Sequence, residues 1–300
     1  MNQRAALPSL LIFLFLLAGS AIFAGIGCGS RNASPAPANS PPRIASLVPA
    51  ATDLLLAIGA GDRLVAVSNY DTTPATSTLP RVGDYQTTDW EKISTLHPTV
   101  ILTEFGPGRT PPGFTERCVE LGIRQLNLHF YRLEDTFTAI GQLGAAAGMP
   151  DRAAAAATKL HEQLDAIHRR VAGQPPVPAL IVTGEGTLGI AGGGTYLNDL
   201  LTLAGGKNVA ASLGQPWPTI DRERLAALAP RVIFQLLPGA DSRQIATANQ
   251  TWATFPDLPA VRDHRVVIIT DWYAELPGYE VGDLAEKFAE ALYPSGTTRP

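Results

Sequence analysis

The stretch DWEKISTLHPTVI, residues 89–101, returns later in the chain as DRERLAALAPRVI, residues 221–233. Each copy reads as a short helix, a proline-containing turn and the start of a buried strand. Leu96 and Leu228 anchor the helix, Pro98 and Pro230 stop it, and Val100-Ile101 and Val232-Ile233 open the strand. A chain that carries this unit twice is built from two α/β halves. Asp89 and Asp221 stand where a helix cap is expected. Glu91 and Glu223 fall in the first turn, where an acid complements the helix dipole by ~0.3–1 kcal/mol. The same two carboxylates, on equivalent surfaces of equivalent halves, also offer paired docking points to a two-fold-symmetric partner. Each would accept a bidentate arginine well.

The texture on either side of the repeat agrees. RIASLVP, RLVAVS, TVILT and RQLNLHF read as strands between helical patterns such as ATDLLLAIG, FTERCVELG and LEDTFTAIGQLGAAAG. After residue 177 the same alternation resumes with PALIVTGE, RVIFQL and RVVIIT as strands. TYLNDLLTLAGG, RERLAALA and EVGDLAEKFAEAL read as the helices. Between the halves, Pro150 suits a first helical position, and Gly173 with Pro175 and Pro176 ends the segment. Ala157, Leu160, Leu164, Ile167 and Val171 step by three and four, which gives this helix one apolar face. About 22 residues at ~1.5 Å each make a rod of roughly 33 Å, long enough to join two lobes. The expected fold class is α/β, with two Rossmann-like lobes joined by a single long backbone helix. The expected segments are a lobe at 43–148, the connecting helix at 149–174 and a second lobe at 175–298.

The N-terminal segment has a different character. Arg4 precedes the apolar run LLIFLFLLAGSAIFAGIG, which ends at Cys28, the layout of an export signal over residues 1–28. The small residues before Cys28 resemble the lipobox of bacterial lipoproteins, in which the cysteine is lipidated. An uncleaved anchor of about 18 apolar residues is the alternative. Residues 29–42, rich in Pro, Ala and Ser, read as an extended tether. Either arrangement expects an extracytoplasmic or periplasmic body held to a membrane.

A net charge of −4 with no long basic run excludes nucleic acid as the natural partner. Two cysteines, Cys28 and Cys118, cannot make a disulfide framework, and Cys118 reads as a small buried hydrophobe. The five histidines do not form a close pair, so no metal site is expected. GEGTLG, residues 184–189, matches a dinucleotide fingerprint after a strand, but IAGGG follows where a helix is required. No G-x-S-x-G elbow or P-loop is present, and no cofactor is expected.

RIASLVPAATDLLLAIGAGDRLVAVSNYD, DWEKISTLHPTVILT, GGGTYLNDLLTLAGGKNVA and PWPTIDRERLAALAPRVI occur in the order found in a known family. The chain resembles the extracytoplasmic substrate-binding proteins of ABC importers for vitamin B12, ferric siderophores and haem. The resemblance implies a monomeric, non-enzymatic receptor that delivers its ligand to a permease dimer with ATPase subunits. It also implies that Glu91 and Glu223 grip arginines of the two permease subunits. VSNY, PWPTIDRERL and TDWY are most similar to the cobalamin-binding members. By matching position this makes Tyr70, Tyr85, Trp217, Asp271 and Trp272 ligand contacts, with Phe105 and Tyr273 added as aromatics in loops after strands. Tyr85 and Glu104 stand where those members carry tryptophan, and AELPG replaces a stretch carrying an arginine. Cobalamin is the first ligand implied, with other corrinoids, haem and ferric siderophores as alternatives. A membrane-tethered sensor without transport, or an enzyme built on the same cleft, would share the architecture.

Overall fold

In this computed structural model the described residues are 40–84, 86–185 and 189–294. The first half runs β1 (Ile44–Ser46), α1 (Pro49–Ala57), β2 (Leu64–Ala66), α2 (Trp90–Leu96), β3 (Val100–Thr103), α3 (Phe114–Glu120), β4 (Arg124–Asn127) and α4 (Leu133–Ala147). Its four strands pair in parallel in the order β2-β1-β3-β4. After the long helix α5 (Pro150–Val171), the second half runs β5 (Val177–Thr183), β6 (Gly189–Ile190), α6 (Tyr196–Leu203), β7 (Gly206–Asn208) and α7 (Arg222–Leu228). It is completed by β8 (Val232–Leu236), α8 (Ser242–Ala253), α9 (Pro259–Arg262), β9 (Val266–Ile269) and α10 (Val281–Leu292). Here the order is β6-β5-β8-β9, with β7 also on β5; every pairing is parallel except the short β5–β6 contact.

The described ends of the stretch 184–189 belong to antiparallel neighbours, β5 and β6. The chain turns back so that Val182 and Thr183 face Ile190 and Gly189, and no helix dipole is aimed at a phosphate.

The two copies of the repeat are built alike down to their caps. Asp89 accepts the Lys92 backbone N–H at 3.0 Å, and Asp221 accepts that of Arg224 at 2.7 Å. Each helix then ends on a left-handed residue before its proline, His97 (φ 48°) and Ala229 (φ 43°). The fully buried anchors are Ile93 and Leu225, one turn before the expected Leu96 and Leu228, which are half-buried. Glu91 and Glu223 are exposed in the first turns.

Alternate side chains of the parallel strands serve different layers. In the first lobe Ala45 and Ile101 pack outward on Ile93, Phe114 and Cys118. Ile44, Val100 and Leu102 face inward on the shared core with α1, α4 and α5. In the second lobe Leu180 and Ile233 face outward, while Ile181 and Phe234 join the same shared core. The described residues from Pro41 onward therefore form one unit, because the inner faces of both sheets bury against common helices. Helix α5 contributes Ala153, Leu160, Leu164, Ile167 and Val171. Gly144 lets α4 lie close beside it, since a Cβ there would stand 2.2 Å from that of Ala153. Ion pairs and hydrogen bonds reinforce this layer. Arg170 pairs with Glu286 at 2.7 Å, and Gln163 donates to Asp283 at 2.8 Å.

Candidate interlobe ligand site

In parallel α/β sheets, the loops beyond the strand carboxyl ends form the binding crevice. The loop after β2 is braced from within. Asn69 donates its side-chain N–H to Asp84 at 3.1 Å, and Arg81 donates to the Ser68 carbonyl at 2.9 Å. Asp71 Oδ1 accepts the Thr73 backbone N–H and the Thr76 hydroxyl. The backbone N–H groups of Gln86 and Thr87 hold the Asp84 carboxyl below its ordinary range, which keeps this bracing charged. On that rigid loop the Tyr70 ring is 56% exposed. A bulky ring held outward on a stiff support is preorganised for contact, because little side-chain freedom is left to lose.

The facing wall comes from the loop after β9. Trp272 packs edge-on to Tyr273 with ring centroids 5.7 Å apart. Tyr70 and Trp272 line one cavity of about 400 Å³ together with Pro49, Thr73, Glu275 and Leu276. Two aromatic residues from opposite lobes thus border one space, which suits a ligand with a large flat face. Trp217 is 54% exposed, on a segment clasped by the Gly192 N–H, which donates to the Pro216 carbonyl at 2.8 Å. It is not among the residues lining the cavity.

Three expected contacts have other partners in the structure. Phe105 is only 5% exposed and packs edge-to-face on Phe114 at 5.0 Å, in the outer core of the first lobe. Asp271 pairs with Lys287 at 3.1 Å, between β9 and α10, and is not among the residues lining the cavity. The Tyr273 hydroxyl hydrogen-bonds the same carboxylate; burial and then the Asp271 charge raise its phenol. Tyr85 and Cys28 lie outside the described residues.

Strand parity explains what was missed. Glu104, next to Phe105, is reachable by solvent yet flanked by protein, and its carboxyl is pushed up to about 7 by poor hydration. Glu275 accepts the Gly184 backbone N–H at 2.8 Å and is also raised, chiefly by burial. Both charges reach the buried phenol of Tyr196, at the start of α6, which desolvation first and then Glu275 and Glu104 push far up. The sequence signal for Glu104 was its place directly after β3, where tryptophan was expected, and for Glu275 its place in the loop after β9, where an arginine-bearing stretch was expected.

The two lobes are fastened to each other by side-chain bonds. Arg132, just before α4, grips Asp199 of α6 through two bonds of 2.7 and 2.8 Å, and the Leu133 N–H adds a third at 3.1 Å. Behind the site, Asp53 of α1 accepts the Tyr279 N–H at 2.6 Å. Among the described residues no cluster of three His, Cys, Asp or Glu side chains could hold a metal ion, and no helix is long and apolar enough to cross a membrane.

This architecture has well-matched relatives. The vitamin B12-binding protein of Photorhabdus laumondii is 27% identical over 259 residues, covering 86% of this chain and 90% of that protein. The solved periplasmic vitamin B12-binding protein of Vibrio cholerae superposes with a TM-score of 0.71 at 28% identity, over 84% of this chain and 96% of its own. A periplasmic heme-binding protein of Pseudomonas aeruginosa superposes with a TM-score of 0.72 at 26% identity, over 85% and 94%. The periplasmic binding protein family matches residues 44–273, and with two α/β lobes enclosing an aromatic cleft the chain belongs to that family of non-enzymatic, extracytoplasmic receptors.

Proposed function

We propose that the protein captures cobalamin or a related corrinoid between its lobes and delivers it to an ABC importer. The observation that carries this reading is the pairing of Tyr70 and Trp272 from opposite lobes across one cavity. Trp217 is exposed and without a place in a core. The vitamin B12-binding relatives, aligned over most of both chains, favour a corrinoid as the flat ligand. A haem or a ferric siderophore is the second reading, supported by the heme-binding neighbour at comparable similarity.

Delivery would use the outer faces of the two lobes. Glu91 and Glu223 are presented identically by α2 and α7, exposed and free of any salt bridge among the described residues. A permease dimer could grip both with arginines, and its ATPase subunits would supply the energy. Lipid on Cys28, through the tether 29–42, would keep a monomeric receptor near the importer. The double variant Glu91→Lys/Glu223→Lys tests the docking half of the proposal. It should keep ligand affinity and abolish stimulation of the importer's ATPase, whereas undiminished stimulation would refute it.

A further inference from the structure

The carboxyl edge of the first sheet carries a second exposed tyrosine, outside the cavity of Tyr70 and Trp272. β2, β1, β3 and β4 run parallel, so the loops that follow them leave the sheet at one end. Tyr70 comes after β2, and Tyr131, 53% exposed, comes after β4. With neighbouring strands ~4.8 Å apart, three spacings set these two strand ends roughly 14 Å from each other. Tyr131 faces outward by parity. Leu128 and Phe130 bury in the shared core, and the alternate residues His129 and Tyr131 stay exposed.

The Tyr131 ring is braced. His129 stacks on it, 12° from parallel with ring centroids 5.8 Å apart. The Tyr131 backbone N–H donates to Asp135 at 2.9 Å, and the next residue, Arg132, is the one that grips Asp199 of the second lobe. Beside this ring stands the turn after β3, in which the Arg109 N–H donates to the Gly106 carbonyl at 3.0 Å. A Cβ on Gly106 would lie 3.6 Å from the Arg109 Cδ and 3.8 Å from the Tyr131 hydroxyl, so the stem of the arginine and the phenol flank one small gap. Among the described residues the exposed Arg109 guanidinium has no hydrogen bond and no ion pair, not even with Glu104 of the same loop. Arg132 and Arg117, by contrast, are bound to Asp199 and Glu120. An uncommitted guanidinium offers paired N–H donors to a phosphate or carboxylate, the phenol adds an O–H donor, and its ring face packs on the atoms that carry the charge. Resting on the interlobe reading above, we infer that Arg109, Tyr131 and Gly106 form a subsite for an anionic arm of the ligand, whose flat body lies at Tyr70 and Trp272. The phosphodiester of a corrinoid's nucleotide arm and the propionate of a haem both supply such a charge.

The test compares probes with and without the arm, by calorimetry on the purified full-length protein. Cyanocobalamin carries the phosphodiester arm, and dicyanocobinamide lacks it. Haem carries free propionates, and haem dimethyl ester has them masked. For the pair that matches its cargo, the wild type should prefer the charged probe by ~10-fold or more. Arg109→Gln should bring that ratio below about 3-fold while leaving the affinity for the uncharged probe unchanged. Gly106→Leu fills the gap without altering any charge, on a backbone that is not left-handed, and should have the same effect. Thermal unfolding checks that both variants fold. Loss of the preference with the corrinoid pair identifies the phosphodiester as the arm, and loss with the haem pair identifies the propionate. No preference in the wild type, or a preference unchanged in both folded variants, overturns the subsite and leaves the cleft reading intact. Failure of the wild type to bind either cyanocobalamin or haem overturns both.

Discussion

Asp53 offers a sharp test of how the two lobes are joined. It is 3% exposed on α1, accepts the Tyr279 N–H at 2.6 Å and meets the Glu280 carboxyl, against a Gly278 whose Cβ would stand 2.2 Å from Oδ2. Its pKa is pushed up to about 8, first by burial and then by the hydrogen bond and charge of Glu280, with the Tyr279 N–H pulling the other way. Asp71 adds a smaller push. The unfolded chain releases this proton near pH 4, so between about 4 and 8 the folded state holds one proton more. Stability must therefore fall as pH rises through that window, by up to ~1.4 kcal/mol per unit. From pH 5 to pH 8 the loss from this site is on the order of 4 kcal/mol, or roughly 10 °C in Tm for a body of this size. Asn at 53 keeps an acceptor for Tyr279 and a donor for Glu280 but cannot titrate. Thermal unfolding followed by circular dichroism should show Asp53→Asn closing most of that difference. It should also make the variant the more stable form at pH 8. Parallel profiles for wild type and variant would refute the reasoning.

Other outcomes follow from the same contacts. Arg132→Ala strips a bidentate partner from the largely buried Asp199 and should cost about 1–3 kcal/mol in denaturant unfolding. Phe105→Ala should destabilise the first lobe by ~3–5 kcal/mol, whereas Tyr70→Ala, on an exposed ring, should leave stability nearly unchanged and weaken ligand binding about 10-fold or more. Calorimetric titration of cyanocobalamin into Tyr70→Ala, with Trp272→Ala alongside, separates these effects on binding from those on folding.

Much of the architecture could be read from residues alone, because it is written in repeats and periodicity. The cap–helix–proline–strand unit occurs twice, and α5 carries a continuous apolar stripe between clear stop signals. Elements with weak signals escaped. Helix α8 buries only Ala248 and Trp252 in twelve residues, and β6 and β7 are two and three residues long. At the site, the obstacle is parity. Where a strand ends, one step along the chain moves a side chain from cleft to core. Phe105 went to the core while its neighbour Glu104 stayed exposed. Asp271 went to Lys287 while Trp272 turned to the cavity. Pairings such as Glu104 with Tyr196, or Asp53 with Tyr279, join residues of different lobes and leave no local trace.

The claim that a flat ligand lies between Tyr70 and Trp272 is tested most directly by tryptophan fluorescence. Purified protein would be titrated with cyanocobalamin, cobinamide, haem and a ferric siderophore, with correction for ligand absorbance. Trp252 is buried in the second lobe, and Trp90 packs on Phe114 in the first, so neither should report. The expected result is saturable quenching by a corrinoid at micromolar concentration or below, most of it lost in Trp272→Phe. Saturable quenching that survives unchanged in Trp272→Phe and Trp217→Phe, or no response to any of the four ligands, would contradict it.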